Sequence, residues 1–368
     1  MAAYDLIVIG GGLVGGAIAW GAARLGAHVA LLDEGDDAFR AARGNFGLVW
    51  VQTKGAGMPP YAHWTRRSAE LWPELHAAMA GATGVDVALR QPGGLMFCLS
   101  DEEMAQREAQ ARRMHNESGG IGTRMLDRAE VRAMVPMVGD RVVGATFCPI
   151  DGHANPLKLL RALHDALARA GGAYLPHHGV TAITPQPRGF AVQAGGRALS
   201  CDKLVIAAGL GSRDLASMVG LDMPVHPLRG QIVVTERMKP FMDYATHVVR
   251  QTEEGTVMLG DSQEEVGFDR GTSVPVVRDI AARNLAVFPH LRDATVARVW
   301  GALRVMTPDG FPIYQQSARH PGAFAATCHS GVTLAGAHAL ALAPAILAGE
   351  LPPSLAAFAA ERFHVPAA

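Results

Sequence analysis

Cysteine is scarce in this chain of 368 residues: Cys98, Cys148, Cys201 and Cys328 are the whole complement. No two form a C-x-x-C pair, which excludes the common zinc and iron–sulfur spacings, and no metal site is expected. Four scattered thiols fit a reduced, cytoplasmic protein better than a disulfide framework. An excess of one charge is also missing. The formal net charge is −1 and no block of like charges occurs, which excludes a global attraction to nucleic acid or to an acidic membrane surface. There is no low-complexity tract. The apolar N-terminus has no basic n-region and carries Asp5, so it does not read as a signal peptide. The apolar stretch from Val332 to Leu347 is short for a membrane span and contains His338 and Pro344; it reads as a buried helix rather than a transmembrane segment.

What is present is a hydrophobic fraction of 49%, enough for a sizeable core, and a length that suggests two domains. Tyr4 to Ile9 is a short apolar run suited to a buried parallel strand. Gly10, Gly12 and Gly15 follow in a G-x-G-x-x-G pattern that includes Leu13 and Val14, then a helical stretch from Gly15 to Leu25 with Gly26 at its C-cap, then a second apolar run from His28 to Leu32. Asp33, with Glu34 beside it, ends that run 18 residues after Gly15. Gly10 permits the tight turn, Gly12 lets backbone approach a pyrophosphate, and Gly15 lets helix and strand pack closely. The helix N-terminus offers N–H groups and a partial positive charge to the phosphates, and an acid at Asp33 suits ribose hydroxyls. The order strand, glycine loop, helix, strand, acid predicts a dinucleotide site without separating FAD from NAD.

Four further segments resemble the D-amino-acid oxidase superfamily of flavoenzymes, across nearly the whole chain. The first is Arg43-Gly44-Asn45-Phe46-Gly47-Leu48-Val49-Trp50. The second is Asp151 to Pro156, where Asn155 and Pro156 make a good N-cap and first helical residue and the segment reads as a structural turn. The third is Leu204 to Gly209, with Pro227-Leu228-Arg229-Gly230-Gln231 downstream. The fourth runs from Trp300 through Leu303-Arg304-Val305-Met306-Thr307-Pro308-Asp309-Gly310 to Cys328-His329-Ser330-Gly331-Val332-Thr333. Here Val305 replaces the family's usual proline and Cys328 a common glycine. Arg43 to Gln52 and Cys328 to Ala335 are most similar to the catalytic subunits of opine oxidase, hydrogen cyanide synthase and D-hydroxyproline dehydrogenase.

The resemblance implies an α/β fold: a discontinuous Rossmann-like FAD-binding domain (residues 1–85, 150–225 and 300–368) with an inserted α+β substrate domain (residues 86–149 and 226–299) built of an antiparallel sheet plus helices. It implies FAD held by the glycine loop, by Arg43, Gly44, Asn45, Phe46 and Gly47, by Val180, Ala208 and Gly209, and by Ser330, Gly331, Val332 and Thr333. Ala302 stands where sarcosine oxidases carry the cysteine that attaches the flavin, so non-covalent FAD is expected, and Met258 stands near their oxygen-activating lysine. The implied reaction is oxidation of a secondary amine or D-amino acid to an imine that hydrolyses, with a partner subunit that carries electrons away. Arg304 matches the family's carboxylate-binding arginine, and a guanidinium suits that task. Trp50, Gln52, His329 and one of Arg250 or Gln251 are the other candidates for the pocket, Gln251 being taken as catalytic. Three alternatives stay open: a flavoenzyme acting on a 2-hydroxy acid, a flavin subunit without turnover of its own, and an NAD-binding protein.

Overall fold

The computed structural model of the protein describes residues 3–35 and 41–364. The first apolar run forms β1 (Ala3–Ile9), whose Leu6, Ile7 and Val8 are completely buried. A strand sealed on both faces needs no polar alternation, which is why the run is continuous. Helix α1 (Leu13–Ala23) follows, and β2 (Val29–Leu32) returns parallel to β1. On the far side of β1 lies β11 (Arg197–Ile206), then β18 (Ala323–Thr327) and the antiparallel β17 (Ile313–Gln316), while β8 (Ala173–Leu175) extends the sheet beyond β2. Strands β9 (Val180–Pro185) and β10 (Phe190–Ala194) hang from β11 as an antiparallel flap. Ile9 pairs with both Leu32 and Ile206, and Ile206 with Ala325, so four parallel strands end at one level. The crevice beyond those carboxyl ends is where open α/β sheets bind ligands.

Helix α1 is buried on almost every side, between the sheet and two helical neighbours, α5 (Pro156–Arg169) and the C-terminal segment 335–348. Helix α2 (Pro59–Thr83) packs against both of those neighbours. Asn155 caps α5 as expected, its Oδ1 accepting from the N–H groups of Leu157 and Lys158. The C-terminal segment departs from a plain helix: Ala335–Ala337 and Ala343–Ala348 flank a π-helical turn, His338–Leu342. Pro344 has no N–H to donate and its ring crowds the carbonyl four residues back, so the helix widens before it. A short α6 (Ser212–Ser217) follows β11.

The inserted region holds two four-stranded sheets rather than the single antiparallel one expected. One joins the long antiparallel pair β12 (His226–Arg237) and β16 (Val296–Met306) to β15 (Thr256–Leu259) and β14 (Val249–Gln251). In the other, β4 (Gly94–Cys98), β6 (Gly144–Cys148) and β5 (Arg124–Asp127) run antiparallel, and β13 (Ala245–Thr246) adds to β4 in parallel. Helices α3 (Asp101–Ser118), α4 (Arg128–Met134) and α7 (Val274–Val287) accompany them, and Leu95, Phe97, Val233, Val257 and Phe288 share one core. The pairing of β4 with β13 joins segments some 150 residues apart, which no local period reports. β16 crosses the boundary drawn at residue 300 and carries Arg304 on the sheet it forms with β12, β15 and β14. A two-stranded ribbon, β3 (Leu48–Val49) with β7 (Gly152–His153), lies apart from the larger sheets. Among the described residues no single helix is long and apolar enough to cross a membrane, and all four cysteines are free and buried.

Candidate active site

The three glycines after β1 do different things. Gly10 has φ +110°, and a Cβ there would stand 2.3 Å from the Ala207 oxygen, so the turn tolerates no side chain. At Gly15 a Cβ would come within 1.9 Å of the Gly10 oxygen; its hydrogen lets α1 begin against the strand, beneath the loop and outside the groove lining. Gly12 has an ordinary φ of −74°, and a Cβ there would meet nothing nearer than Ala42 at 3.9 Å. No protein atom demands glycine at 12; a ligand pressed against the backbone would.

Gly12 faces a groove of about 620 Å³. Gly10, Leu13 and Val14 line it with Gly12, Asp33, Glu34 and Val180 line another part, and Arg43, Asn45, Ala208, Gly209 and Gly331 complete the predicted set found there. The Asp33 carboxylate accepts from the N–H groups of Gly11 and Gly35 at 2.8 and 2.9 Å, which fixes it at the groove. His164 supports the loop from α5: its Nε2 lies 2.8 Å from the Gly11 oxygen and its ring stacks on Tyr174.

A second cavity of about 400 Å³ adjoins the groove, the two sharing Ala41, Asn45, Leu303, Val305, Cys328 and His329. Gly44, Phe46, Trp50, Arg304, Ser330, Val332 and Thr333 line this second space. The Thr333 hydroxyl donates to the Leu48 oxygen and accepts from the Trp50 N–H, at 3.0 and 3.2 Å, and so ties the C-terminal segment to the loop after β2. Arg304 lies across Gly230 on the neighbouring strand, where a Cβ would come within 2.5 Å of the guanidinium. Three of its five N–H donors are used, toward Asp261 Oδ1 at 2.5 Å, the Ser262 oxygen at 2.7 Å and the Arg229 oxygen at 3.4 Å. The loop carrying Asp261 is itself pinned, because the buried Arg229 pairs with Glu264 at 2.6 Å and Asp269 at 2.5 Å.

Gln251 needs correcting as a catalytic candidate. It does not line the cavity; its amide donates to the Met238, Lys239 and Gly255 oxygens and accepts from the Phe241 N–H, holding the loops beside its hairpin. Its neighbour Arg250 does not line the cavity either. That guanidinium donates to the Phe46 and Ala154 oxygens, and Gly47, with φ +93°, is small enough to admit it. Gly47 therefore shapes the loop without lining either space, and burial pulls the Arg250 guanidinium down to about 10. Alternation along a strand separates two faces, but here both side chains work inside the protein.

Sequence reasoning missed Lys54 and Asp261, which line the cavity with Arg304. Lys54 sits on the turn after β3, closed by its N–H to the Val51 oxygen at 2.9 Å. Asp151, fully buried, holds that turn: Oδ1 accepts from the Val51 N–H at 2.5 Å and Oδ2 from the Gln52 amide at 2.8 Å. Gln52 also bonds the Gly94 oxygen and Thr146 and stays out of the cavity. Burial raises the Asp151 carboxyl to about 7. Lys54 Nζ lies 3.4 Å from His329 Nε2, and His329 Nδ1 lies 2.9 Å from Ser330 Oγ. The charge of Lys54 and burial hold His329 well below its ordinary value, so it is a neutral imidazole. A lysine two residues beyond the candidate Gln52, on the segment that continues the flavin-type loop, was the one local signal for Lys54.

Comparisons with known proteins agree with this geometry. A family model described as DAO, FAD dependent oxidoreductase, matches residues 5–345. The chain is 44% identical over 361 residues to a Rhizobium meliloti protein named as a subunit of opine oxidase, covering 98% of this chain and 97% of the relative. It is 26% identical to hydrogen cyanide synthase subunit HcnC of Pseudomonas aeruginosa, covering 98% and 96%. In fold it matches the crystal structure of glycine oxidase from Geobacillus kaustophilus with a TM-score of 0.88, at 24% identity and 98% coverage of both chains.

Proposed function

The chain belongs to the DAO family of FAD dependent oxidoreductases, and we propose that it oxidises an amine or amino acid bearing a carboxylate, with the secondary amines found in opines as the leading candidates. It is an enzyme of that class, and FAD is its cofactor. Gly12 suits it: the open backbone there fits a pyrophosphate, and the adjoining cavity has room for a ring and a small substrate. Bound flavin supplies the acceptor for two electrons and one hydrogen, and the protein supplies position. Binding is non-covalent in this reading.

Arg304 carries the proposal. It is a cation lining the cavity beside the dinucleotide groove, and among the described residues two of its N–H donors have no protein partner. A substrate carboxylate would take those donors and compete with Asp261 for the guanidinium. Trp50 and Phe46 give that carboxylate's carrier an apolar wall. The relatives named as subunits support a further part of the reading, that electrons leave through a partner protein.

The test is a visible spectrum of the purified protein, followed by anaerobic addition of D-amino acids, N-alkyl glycines, prolines and opines, with 2-hydroxy acids as controls. Flavin released on denaturation and bleaching by one carboxylate-bearing amine are expected. Arg304→Met should weaken that substrate by roughly a hundredfold, the equivalent of losing a charge-assisted pair worth about 2–3 kcal/mol. A protein that takes up no FAD, or one reduced equally well by amines lacking a carboxylate, would sink the proposal.

A further inference from the structure

We infer that Lys54, as its free amine, takes the proton from the ammonium group of the bound substrate, so that the amine nitrogen holds a lone pair when the α-hydrogen leaves. The inference rests on the amine reading above and assigns a residue to a step that the carboxylate clamp does not cover.

The chemistry requires such a step. An amino acid or secondary amine arrives protonated at neutral pH, and a protonated nitrogen has no pair with which to form the C=N bond. The nitrogen–hydrogen bond must break first, its proton going to a base. Bound flavin would supply the acceptor for the α-hydrogen and its electron pair, and the nitrogen lone pair would then close the C=N bond. One proton and one hydride equivalent leave the substrate, and both have stated acceptors.

Lys54 is placed for the first. It lines the same cavity as Arg304, with Thr53 beside it, at the end of the turn closed by its own N–H on the Val51 oxygen. Among the described residues no carboxylate lies within 4 Å of its nitrogen, whereas Asp261 is engaged by Arg304 and Asp151 by Val51 and Gln52. A structural lysine is ordinarily paired with a carboxylate; this one is partly buried at the cavity wall, with a neutral imidazole as its hydrogen-bonding neighbour. The groups facing it are Arg304, Asp261, Asp151, Cys328 and His329. Burial and then the Arg304 charge bring its ammonium down to about 8, against the opposing pull of Asp261 and Asp151, while burial keeps Cys328 a thiol. A base poised near the working pH transfers protons most effectively. The contact continues inward: His329 meets Ser330 Oγ, which accepts from Tyr61 at 3.1 Å, so a proton on Lys54 adjoins a hydrogen-bonded chain.

The experiment compares wild type, Lys54→Met and Lys54→Arg as FAD-loaded proteins. Each is reduced anaerobically, between pH 6 and 10, by the amine that bleaches wild type fastest in the panel above. Wild-type reduction should accelerate as pH rises and level off above about 8. Both variants should be slower at pH 7 by roughly a hundredfold, the usual contribution of a general base, with the deficit shrinking towards pH 10 as substrate loses its own proton. No deficit, or the same deficit at every pH, overturns the inference while leaving the amine reading intact. No bleaching of wild type by any amine overturns both. A second readout needs no turnover. The chain has four lysines, so ¹³C-methylated protein gives four lysine signals, and that of Lys54 is the one missing from Lys54→Arg. It should titrate well below the other three; titration alongside them overturns the inference even where a variant fails to hold FAD.

Discussion

Single residues separate what the protein needs for itself from what it keeps for a ligand. Gly12→Ala should leave the melting temperature of the apoprotein unchanged, because its Cβ would meet no atom closer than 3.9 Å. It should weaken FAD by about tenfold or more, since the pyrophosphate then meets a methyl group. Gly15→Ala places a methyl 1.9 Å from the Gly10 oxygen and should destabilise the apoprotein itself by about 2 kcal/mol. Flavin fluorescence titration and thermal melting read the two effects apart, and undiminished FAD binding by Gly12→Ala would remove the loop from the cofactor site. The groove residues were legible because their signal is local: glycines, helix and acid all fall within residues 4–33. Arg304 was legible through its motif. Lys54 was not, because its partners Arg304 and His329 lie more than 200 residues away and a lone lysine in a turn has no period. Gln251 misled for the converse reason. Its hairpin does border the site, but its amide is used by loop carbonyls that only the folded chain brings near.

At the scale of elements, the roof over the cavity depends on how loop 261–273 is fastened to β12. Arg229 projects from that strand with its side chain only 6% exposed, and Glu264 and Asp269 close on it from the loop. Arg229 is buried, but Glu264 is only partly buried and Asp269 is exposed, so water screens the carboxylates left behind and Arg229→Met should cost about 1–2 kcal/mol in urea unfolding at pH 7. The pair also sets a pH signature. Arg229 holds the Glu264 carboxyl below its ordinary value. Its stabilisation is therefore present above the unfolded glutamate value and lost as pH falls through the lower folded one. The gap between wild type and Arg229→Met should narrow on that descent; a gap unchanged by acid would show that the guanidinium acts through packing alone. The sequence itself carries strand-like runs from Gly94 to Leu99 and Thr256 to Gly260 and a helical run from Asp101 to Asn116, and these fall on β4, β15 and α3. Their assembly into two sheets was not legible, because β13 joins β4 from some 150 residues downstream and period 2 does not name a partner.

The whole molecule is built around one junction: a parallel sheet whose strand ends border the groove lined by the glycine loop, and an inserted pair of sheets that brings Arg304 to the adjoining cavity. In the proposed reading electrons enter at this junction, and the relatives named as subunits bear on what takes them away. The chain spans nearly the full length of relatives named as single subunits of an oxidase and a synthase. If a partner takes the electrons, the isolated chain should be reduced by substrate at full speed and then stall. Air should return the flavin colour slowly, and a soluble redox dye should return it quickly, in a stopped-flow comparison of the two oxidants after identical anaerobic reduction. Rapid recolouring in air, with hydrogen peroxide formed in proportion to substrate, would instead make the chain a self-sufficient oxidase. The multi-subunit arrangement named for its relatives would then not extend to its own turnover.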